Sequence, residues 1–310
     1  MNIVLLDAQT LGDDLDLSIL DTFGTVTKYQ TTDASKTLSR IEYADIVITN
    51  KVVIGAKIMD MCHNLKLICI AATGMNNVDL KAAKIKEIAV KNVAGYSTQS
   101  VIQHTFSMAL YLLEKIAYYN EVVQNDTWTK SNLFTDVSRP FYEIAGKKWG
   151  IIGFGAIGQG VADIATAFGA EVSYYSTSGK NLKHGYPHQN LEFLLKDSDI
   201  ISIHAPLNDD TYELINEINL PFIKEDAILL NLGRGGIIDE TDLSYELDRK
   251  RFYAGLDVLE TEPLCENNRL REIKHKERLL ITPHIAWSSI EARKKLLAGI
   301  VKNIHTFLEK

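Results

Sequence analysis

At 310 residues the chain has room for about two domains of ordinary size. Hydrophobic residues make up 46% and charged ones 24%, which supports two globular cores and excludes a disordered, collagen-like or disulfide-scaffold chain. The formal charge of -7, from 33 basic and 40 acidic side chains, supplies no basic field for a phosphate backbone and argues against a nucleic-acid partner.

Cys62, Cys69 and Cys265 lack metal-ligand spacing, so no metal site is expected, and a reducing compartment fits. The start, Met-Asn-Ile-Val-Leu-Leu-Asp, has none of the features of a signal peptide. The longest apolar runs, such as 67–73, are strand-length and well short of the roughly 20 residues of a membrane helix. The expectation is a soluble, cytoplasmic protein with no membrane partner.

Taken in chain order, residues 3–7, 44–50, 65–73 and 88–93 are rich in Ile and Val without polar alternation. Strands buried on both faces have that composition, and they predict a parallel sheet covered by helices. Residues 78–87 supply one such helix. A long helical pattern follows over 98–123, then a polar, turn-rich stretch over 124–139. The alternation restarts at Lys147, with strands predicted at 149–152, 171–176, 200–204, 227–232, 253–258 and 279–282. Helices fit at 157–168, 191–197 and 240–249, giving a second doubly wound α/β unit. The last helix, 289–308, follows the final strand and has no strand to feed. The chain shows no internal repeat and no low-complexity tract.

Gly153-Phe154-Gly155-Ala156-Ile157-Gly158 follows the apolar strand 149–152 and opens a helix. In that setting the glycines allow a tight turn, close approach of backbone to a pyrophosphate, and close packing of helix on strand. The helix N-terminus would hold the phosphates through its unpaired amides and dipole. A glycine-rich turn without a ligand is the alternative. The next strand would end in an acidic residue about 20 positions on if it held the ribose hydroxyls of NAD. Here it runs into Ser176-Thr177-Ser178-Gly179-Lys180. A carboxylate would repel a 2′-phosphate, whereas three hydroxyls and Lys180 suit one. NADP(H) is therefore favoured over NAD(H), against a solvated polar turn with NAD lacking its usual anchor.

Three polar residues lie just past strands of the second half, where open α/β sheets place ligands. Arg234 follows 228–232, Glu262 follows the strand ending at Val258, and His284 follows Leu280-Ile281-Thr282-Pro283. A guanidinium fork suits a carboxylate and a carbonyl oxygen, and histidine is the natural proton donor near neutrality. A glutamate bonded to it would favour the imidazolium and fix its orientation. Each residue also has a plainer reading: Arg234 as a solvated turn cation, Glu262 as a cap or loop residue, His284 as structural.

The motifs Gly153-x-Gly-x-x-Gly158, His204-Ala-Pro-Leu207, Asn231-x-Gly-Arg-Gly235, Leu256-Asp-Val-x-x-Thr-Glu-Pro263 and Thr282-Pro-His-Ile-Ala-Trp287 resemble those of the D-isomer-specific 2-hydroxyacid dehydrogenases. They occur in that family's order and spacing across nearly the whole chain. The resemblance implies that Arg234 holds a 2-oxo acid, His284 is the acid/base and Glu262 tunes it, while Asp257 contacts the nicotinamide amide. It implies a substrate loop around Thr73 and Gly74 whose amides receive the carboxylate. Cofactor contacts are implied at Thr98 and at His204, Ala205 and Pro206, beside those read from the residues themselves at Gly153, Gly155, Ala156, Ile157 and Gly158 and along Ser176, Thr177, Ser178 and Lys180.

The resemblance also implies domains. Residues 1–97 with 288–310 would form a flavodoxin-like substrate domain, and 98–287 a Rossmann cofactor domain, with the active site in a cleft whose closure excludes water. That accounts for the orphan last helix. The chain departs from the family at Ser176, where many members have aspartate. It departs at Gln103 of Ile102-Gln103-His104, with local packing as the expected consequence. At Gly233, which replaces a frequent Ala or Ser, a looser turn is expected.

Ile285-Ala286-Trp287 resembles the glycerate dehydrogenase and hydroxypyruvate reductase branch, making hydroxypyruvate or glyoxylate the first candidate substrates. Trp287 reads equally as a pocket wall or as interface packing. His104 and His204 read as structural or cofactor-side, and His63, His184, His188, His275 and His305 as surface residues. Relatives imply a homodimer through the cofactor domain, with the segment around Trp128 and Phe134 as its contact or as an ordinary surface loop. Two rivals remain: a non-catalytic dinucleotide-sensing module like a corepressor, which would need only the glycine loop, and a formate-type dehydrogenase, expected to pair glutamine with its histidine.

Overall fold

A computed structural model describes residues 1–309 apart from 181, 183 and 184, so His184 lies outside the described residues. The chain divides into two compact units, Met1–Ser97 with Ser288–Lys310, and Thr98–Trp287.

The first unit begins with β1 (Asn2–Leu5), β2 (Thr25–Lys28), α1 (Thr37–Ile41), β3 (Ile46–Thr49), α2 (Ala56–Met61), β4 (Leu67–Ile70), α3 (Leu80–Ile85) and β5 (Ala89–Lys91). Its strands form one parallel sheet in the order β2-β1-β3-β4-β5, the flavodoxin-like arrangement with its switch point between β1 and β3. All four residues of β3 and of β4 are buried, as apolar strands covered on both faces must be. The sequence reading missed β2. Thr25, Thr27 and Lys28 are exposed on it, so this edge strand carries no buried run, and polar edges of this kind resist pairing with other chains. Helix α3 is shorter than expected: the Asp79 side chain caps it by accepting from the amides of Lys81 and Ala82, and Glu87, at φ 57°, turns the chain out of it.

The second unit comprises α4 (Thr98–Leu113), α5 (Ile116–Gln124), β6 (Lys148–Ile152), α6 (Ala156–Ala167), β7 (Glu171–Tyr175), α7 (Leu191–Asp197), β8 (Ile200–Ile203), β9 (Ile228–Asn231), α8 (Glu240–Asp248), β10 (Tyr253–Leu256) and β11 (Leu279–Ile281). Its six strands are parallel in the order β11-β10-β9-β8-β6-β7. The single helix expected over 98–123 is in fact two. Lys115 adopts a left-handed φ of 57°, its ammonium donates to the Leu112 carbonyl at 3.1 Å, and it sits 3.5 Å above the Tyr253 ring. Neither Gly nor Pro marks that break in the sequence. One face of α4, including Val101, Ile102, Thr105, Phe106, Met108, Ala109 and Leu112, is buried. Phe106 lies 4.9 Å from the fully buried Trp149, whose indole N–H donates to Ser202 Oγ at 3.0 Å.

Helix α9 (Ile290–Leu308) returns to the first unit and packs on β4. Ser289 caps it by accepting from the Ala292 amide. Arg293 donates to the Leu11 carbonyl and to Asp14, each at 2.8 Å, and Asn303 donates to the Asn92 carbonyl at 2.9 Å. Among the described residues no helix is long and apolar enough to cross a membrane.

Candidate active site

The carboxyl ends of β6 to β11 carry the candidate residues of the second unit. Gly153 turns the chain out of β6 at φ 90°, and a Cβ there would come within 2.7 Å of the Ala205 amide nitrogen. A Cβ on Gly158 would collide with the Gly153 carbonyl oxygen, so α6 lies directly on the turn that precedes it. Gly155 is the N-cap of α6 and offers no side-chain cap to the first amides, those of Ala156 and Ile157 among them. A Cβ on Gly155 would meet nothing within 4 Å. The space is open where a phosphate would meet uncapped amides and the positive end of a helix dipole. These residues fit a dinucleotide.

At the end of β7, Ser176 is buried, Thr177 half-buried, and Ser178 and Lys180 exposed. The turn is closed by the Gly179 amide, which donates to the Ser176 carbonyl at 3.4 Å. No carboxylate occurs between 176 and 180. At the end of β8, the backbone of His204 and Ala205 is held between two glycines. Gly153 is on one side; on the other, a Cβ on Gly233 would stand 2.7 Å from the Ala205 carbonyl oxygen. The loops after β8 and β9 therefore approach backbone to backbone at Gly233. His204 keeps part of its surface accessible, yet both ring nitrogens are shielded from solvent and have no hydrogen-bond partner among the described residues. Burial pushes its imidazole down to about 3, leaving it neutral. Pro206 is exposed.

Three adjacent strands deliver the proposed catalytic groups. Arg234 follows β9, Glu262 follows β10 and His284 follows β11. The Arg234 turn is organised by Asn231, a residue to which sequence reasoning gave no role. Its buried side chain accepts from the Gly233 amide at 3.1 Å and donates to the Arg234 carbonyl at 2.9 Å. The half-buried Arg234 guanidinium donates back to the Gly233 carbonyl at 2.8 Å. A Cβ on Gly235 would collide with the Leu259 carbonyl group, so the loop bearing Arg234 lies against the loop bearing Glu262. Glu262 uses one oxygen to accept from the Leu259 amide at 3.0 Å. Its other oxygen is 2.7 Å from His284 Nδ1. The structure thus joins Glu262 and His284 directly and sets Arg234 on the neighbouring loop.

His284 stands at φ 53°, a conformation that few residues other than glycine adopt. Asp257, which is 2% exposed, accepts from the Thr282 hydroxyl at 2.6 Å and from the amides of Ile285 and Ala286 at 2.9 Å each. His104 Nε2 is 3.1 Å from the Thr282 hydroxyl oxygen. Thr98 is the first residue of α4 and half-buried, as is Trp287. In the first unit Thr73 is exposed and Gly74 half-buried. The Thr73 hydroxyl donates to the Val93 carbonyl at 3.3 Å, and Asn92 donates to the Thr73 carbonyl at 2.6 Å. Of the remaining histidines, His63, His188 and His305 are exposed and His275 half-buried.

A glycine turn that fits a dinucleotide and a histidine–glutamate contact share the carboxyl edge of one parallel sheet, as a nicotinamide-dinucleotide-dependent oxidoreductase requires. Residues 106–286 match the model of the D-isomer specific 2-hydroxyacid dehydrogenase, NAD binding domain. The chain is 37% identical to the hydroxypyruvate reductase of Blautia hydrogenotrophica, over all of this chain and 97% of that one. It is 36% identical to the glycerate dehydrogenase of Methylorubrum extorquens, over 87% of this chain and 85% of the relative. Among solved structures, an acyclic imino acid reductase in complex with NADPH and D-Arg superposes with a TM-score of 0.86 at 30% identity, covering 100% of this chain and 97% of that one. The protein belongs to the D-isomer-specific 2-hydroxyacid dehydrogenase family and is an oxidoreductase acting on CH–OH donors.

Proposed function

We propose that this enzyme interconverts small polar 2-oxo acids, hydroxypyruvate or glyoxylate, and their D-2-hydroxy acids, with NADP(H) favoured over NAD(H). The observation that carries the reaction is the 2.7 Å contact between His284 Nδ1 and Glu262. With Nδ1 held by a carboxylate, Nε2 is left to carry the proton exchanged with substrate. A nicotinamide dinucleotide held at the glycine turn would supply or take up the hydride at the substrate's second carbon. In reduction His284 gives its proton to the oxygen on that carbon; in oxidation it takes the proton back. Arg234 supplies a fork of donors for the 2-oxo acid, and its charge favours the negative oxygen that develops.

The glycine turn at 153–158 and the first amides of α6 would hold the pyrophosphate. Ser176, Thr177, Ser178 and Lys180 would hold a 2′-phosphate, a reading supported by the lack of a carboxylate in that loop. The small, polar substrate choice rests on likeness to relatives named hydroxypyruvate reductase and glycerate dehydrogenase. Exposed Trp128, Leu133, Phe134 and Val137 in the second unit support a homodimer contact, and the enzyme is proposed to work in the cytoplasm.

The test is nicotinamide absorbance with glyoxylate, hydroxypyruvate, pyruvate and longer 2-oxo acids, each with NADPH and with NADH. The highest kcat/KM is expected for hydroxypyruvate or glyoxylate with NADPH. Preference for a long apolar 2-oxo acid would overturn the substrate reading, and preference for NADH the cofactor reading.

A further inference from the structure

We infer that Asp257, Thr282 and His104 act as a positioning chain that holds the backbone carrying His284 in its working conformation. The inference rests on the reading of His284 as the acid/base; it adds Thr282 and His104, which act through His284, and gives Asp257 a positioning role besides the nicotinamide contact expected of it.

The loop 282–286 is built around one carboxylate. Asp257 Oδ1 accepts from the Thr282 hydroxyl and the Ile285 amide, and Oδ2 accepts from the Ala286 amide. Pro283 has no amide hydrogen to offer, and the His284 amide is used on the Thr282 carbonyl at 2.9 Å. Every amide from 284 to 286 is therefore committed, two of the three to a buried charge. Charge-assisted hydrogen bonds of this kind are about twice as strong as neutral ones. A left-handed φ on a residue with a side chain persists only where its surroundings over-determine it. Here the determinant is the Asp257 carboxylate, which grips the chain on both sides of His284.

The third member follows from counting protons. The Thr282 hydroxyl has one hydrogen, and it goes to Asp257 Oδ1 at 2.6 Å. The 3.1 Å contact with His104 must therefore be donated by the ring, which places a hydrogen on Nε2. The same nitrogen lies 3.6 Å from Asp257 Oδ1. His104 belongs to α4, which packs on β9 and β10, so the helix braces the hydroxyl that braces the loop. Local sequence shows none of this, because the partners lie 25 and 178 residues apart.

The test compares Thr282→Val, His104→Phe and His104→Gln with the parent enzyme. It measures kcat and KM for hydroxypyruvate, the solvent deuterium isotope effect on kcat, the dinucleotide Kd by fluorescence, and Tm. Thr282→Val and His104→Phe should lower kcat by about ten- to a hundred-fold, as expected for a displaced reacting group. The solvent isotope effect should rise as proton transfer becomes limiting, with KM, Kd and Tm little changed. His104→Gln keeps a donor and should recover most of the rate. Parent-like kcat in both variants, a rate lost in parallel with Kd and Tm, or a His104→Gln enzyme no better than His104→Phe would each overturn the chain. His284→Ala run alongside separates the two readings. If it stays active, the acid assignment fails; if it is inactive while the other variants match the parent, only the positioning chain fails.

Discussion

Two loops at the carboxyl edge of the six-stranded sheet are held in opposite ways. The turn at 153–158 is shaped by what its residues lack: backbone meets backbone where a Cβ on Gly153 or Gly158 would intrude, and Gly155 leaves open space above a helix end. The loop at 282–286 is shaped by an added group, the Asp257 carboxylate that three donors surround. The first arrangement leaves the N-terminus of α6 without a side-chain cap, and the second consumes amides to aim one imidazole. A side chain added to the first should therefore damage binding or packing. One removed from the second should damage rate.

The largest effect of an added side chain is expected at Gly235, where the new Cβ meets the Leu259 carbonyl group. Gly235→Ala should cost about 1–3 kcal/mol of stability, read as a lower Tm, together with a loss of rate as the Arg234 loop moves off the Glu262 loop. An unchanged Tm would show that the two loops do not press together. His204 gives a pH test of comparable size. Its folded value, about 3, lies below the ordinary 6.5, so between those values the unfolded chain binds the extra proton. Stability should be complete above pH 6.5 and fall on acidification by up to about 1.4 kcal/mol per pH unit. His204→Leu should flatten that part of the stability curve, and an unaltered slope would mean that the imidazole is not held neutral.

Gly155→Ala sharpens the contrast with Gly235. Its Cβ meets nothing within 4 Å, so Tm should hold while dinucleotide affinity falls about tenfold, or about 1.4 kcal/mol. Unaltered affinity would remove the phosphate from this helix end. A change of similar size, confined to cofactor choice, is expected from Ser176→Asp, which should shift the NADPH-to-NADH ratio of kcat/KM toward NADH by about tenfold. A ratio unmoved by the new charge would argue that the loop after β7 does not read the 2′-phosphate.

The contrast also explains what the sequence could reveal. A glycine turn is a local pattern between a strand and a helix, and Gly153 to Gly158 could be read directly. The continuous apolar runs of β3, β4, β6, β8 and β9 were equally legible, because burial on both faces leaves one kind of residue. Edge strand β2 has no such run, and the break at Lys115 depends on a carbonyl and a ring supplied by the fold. Glu262 and His284 could be proposed from their places after strands, but their contact spans 22 residues. Asp257 was noticed as a motif residue, whereas its grip on the His284 loop is visible only in three dimensions. For Gly233, the neighbour that makes a side chain costly is the Ala205 carbonyl on a different loop.

The most direct test of the imidazole–carboxylate pair as the proton-handling unit is His284→Ala, assayed with hydroxypyruvate and NADPH beside a dinucleotide binding titration. Turnover should fall by about 10²- to 10⁴-fold with the dinucleotide Kd nearly unchanged. A variant that keeps most of its turnover would contradict the account.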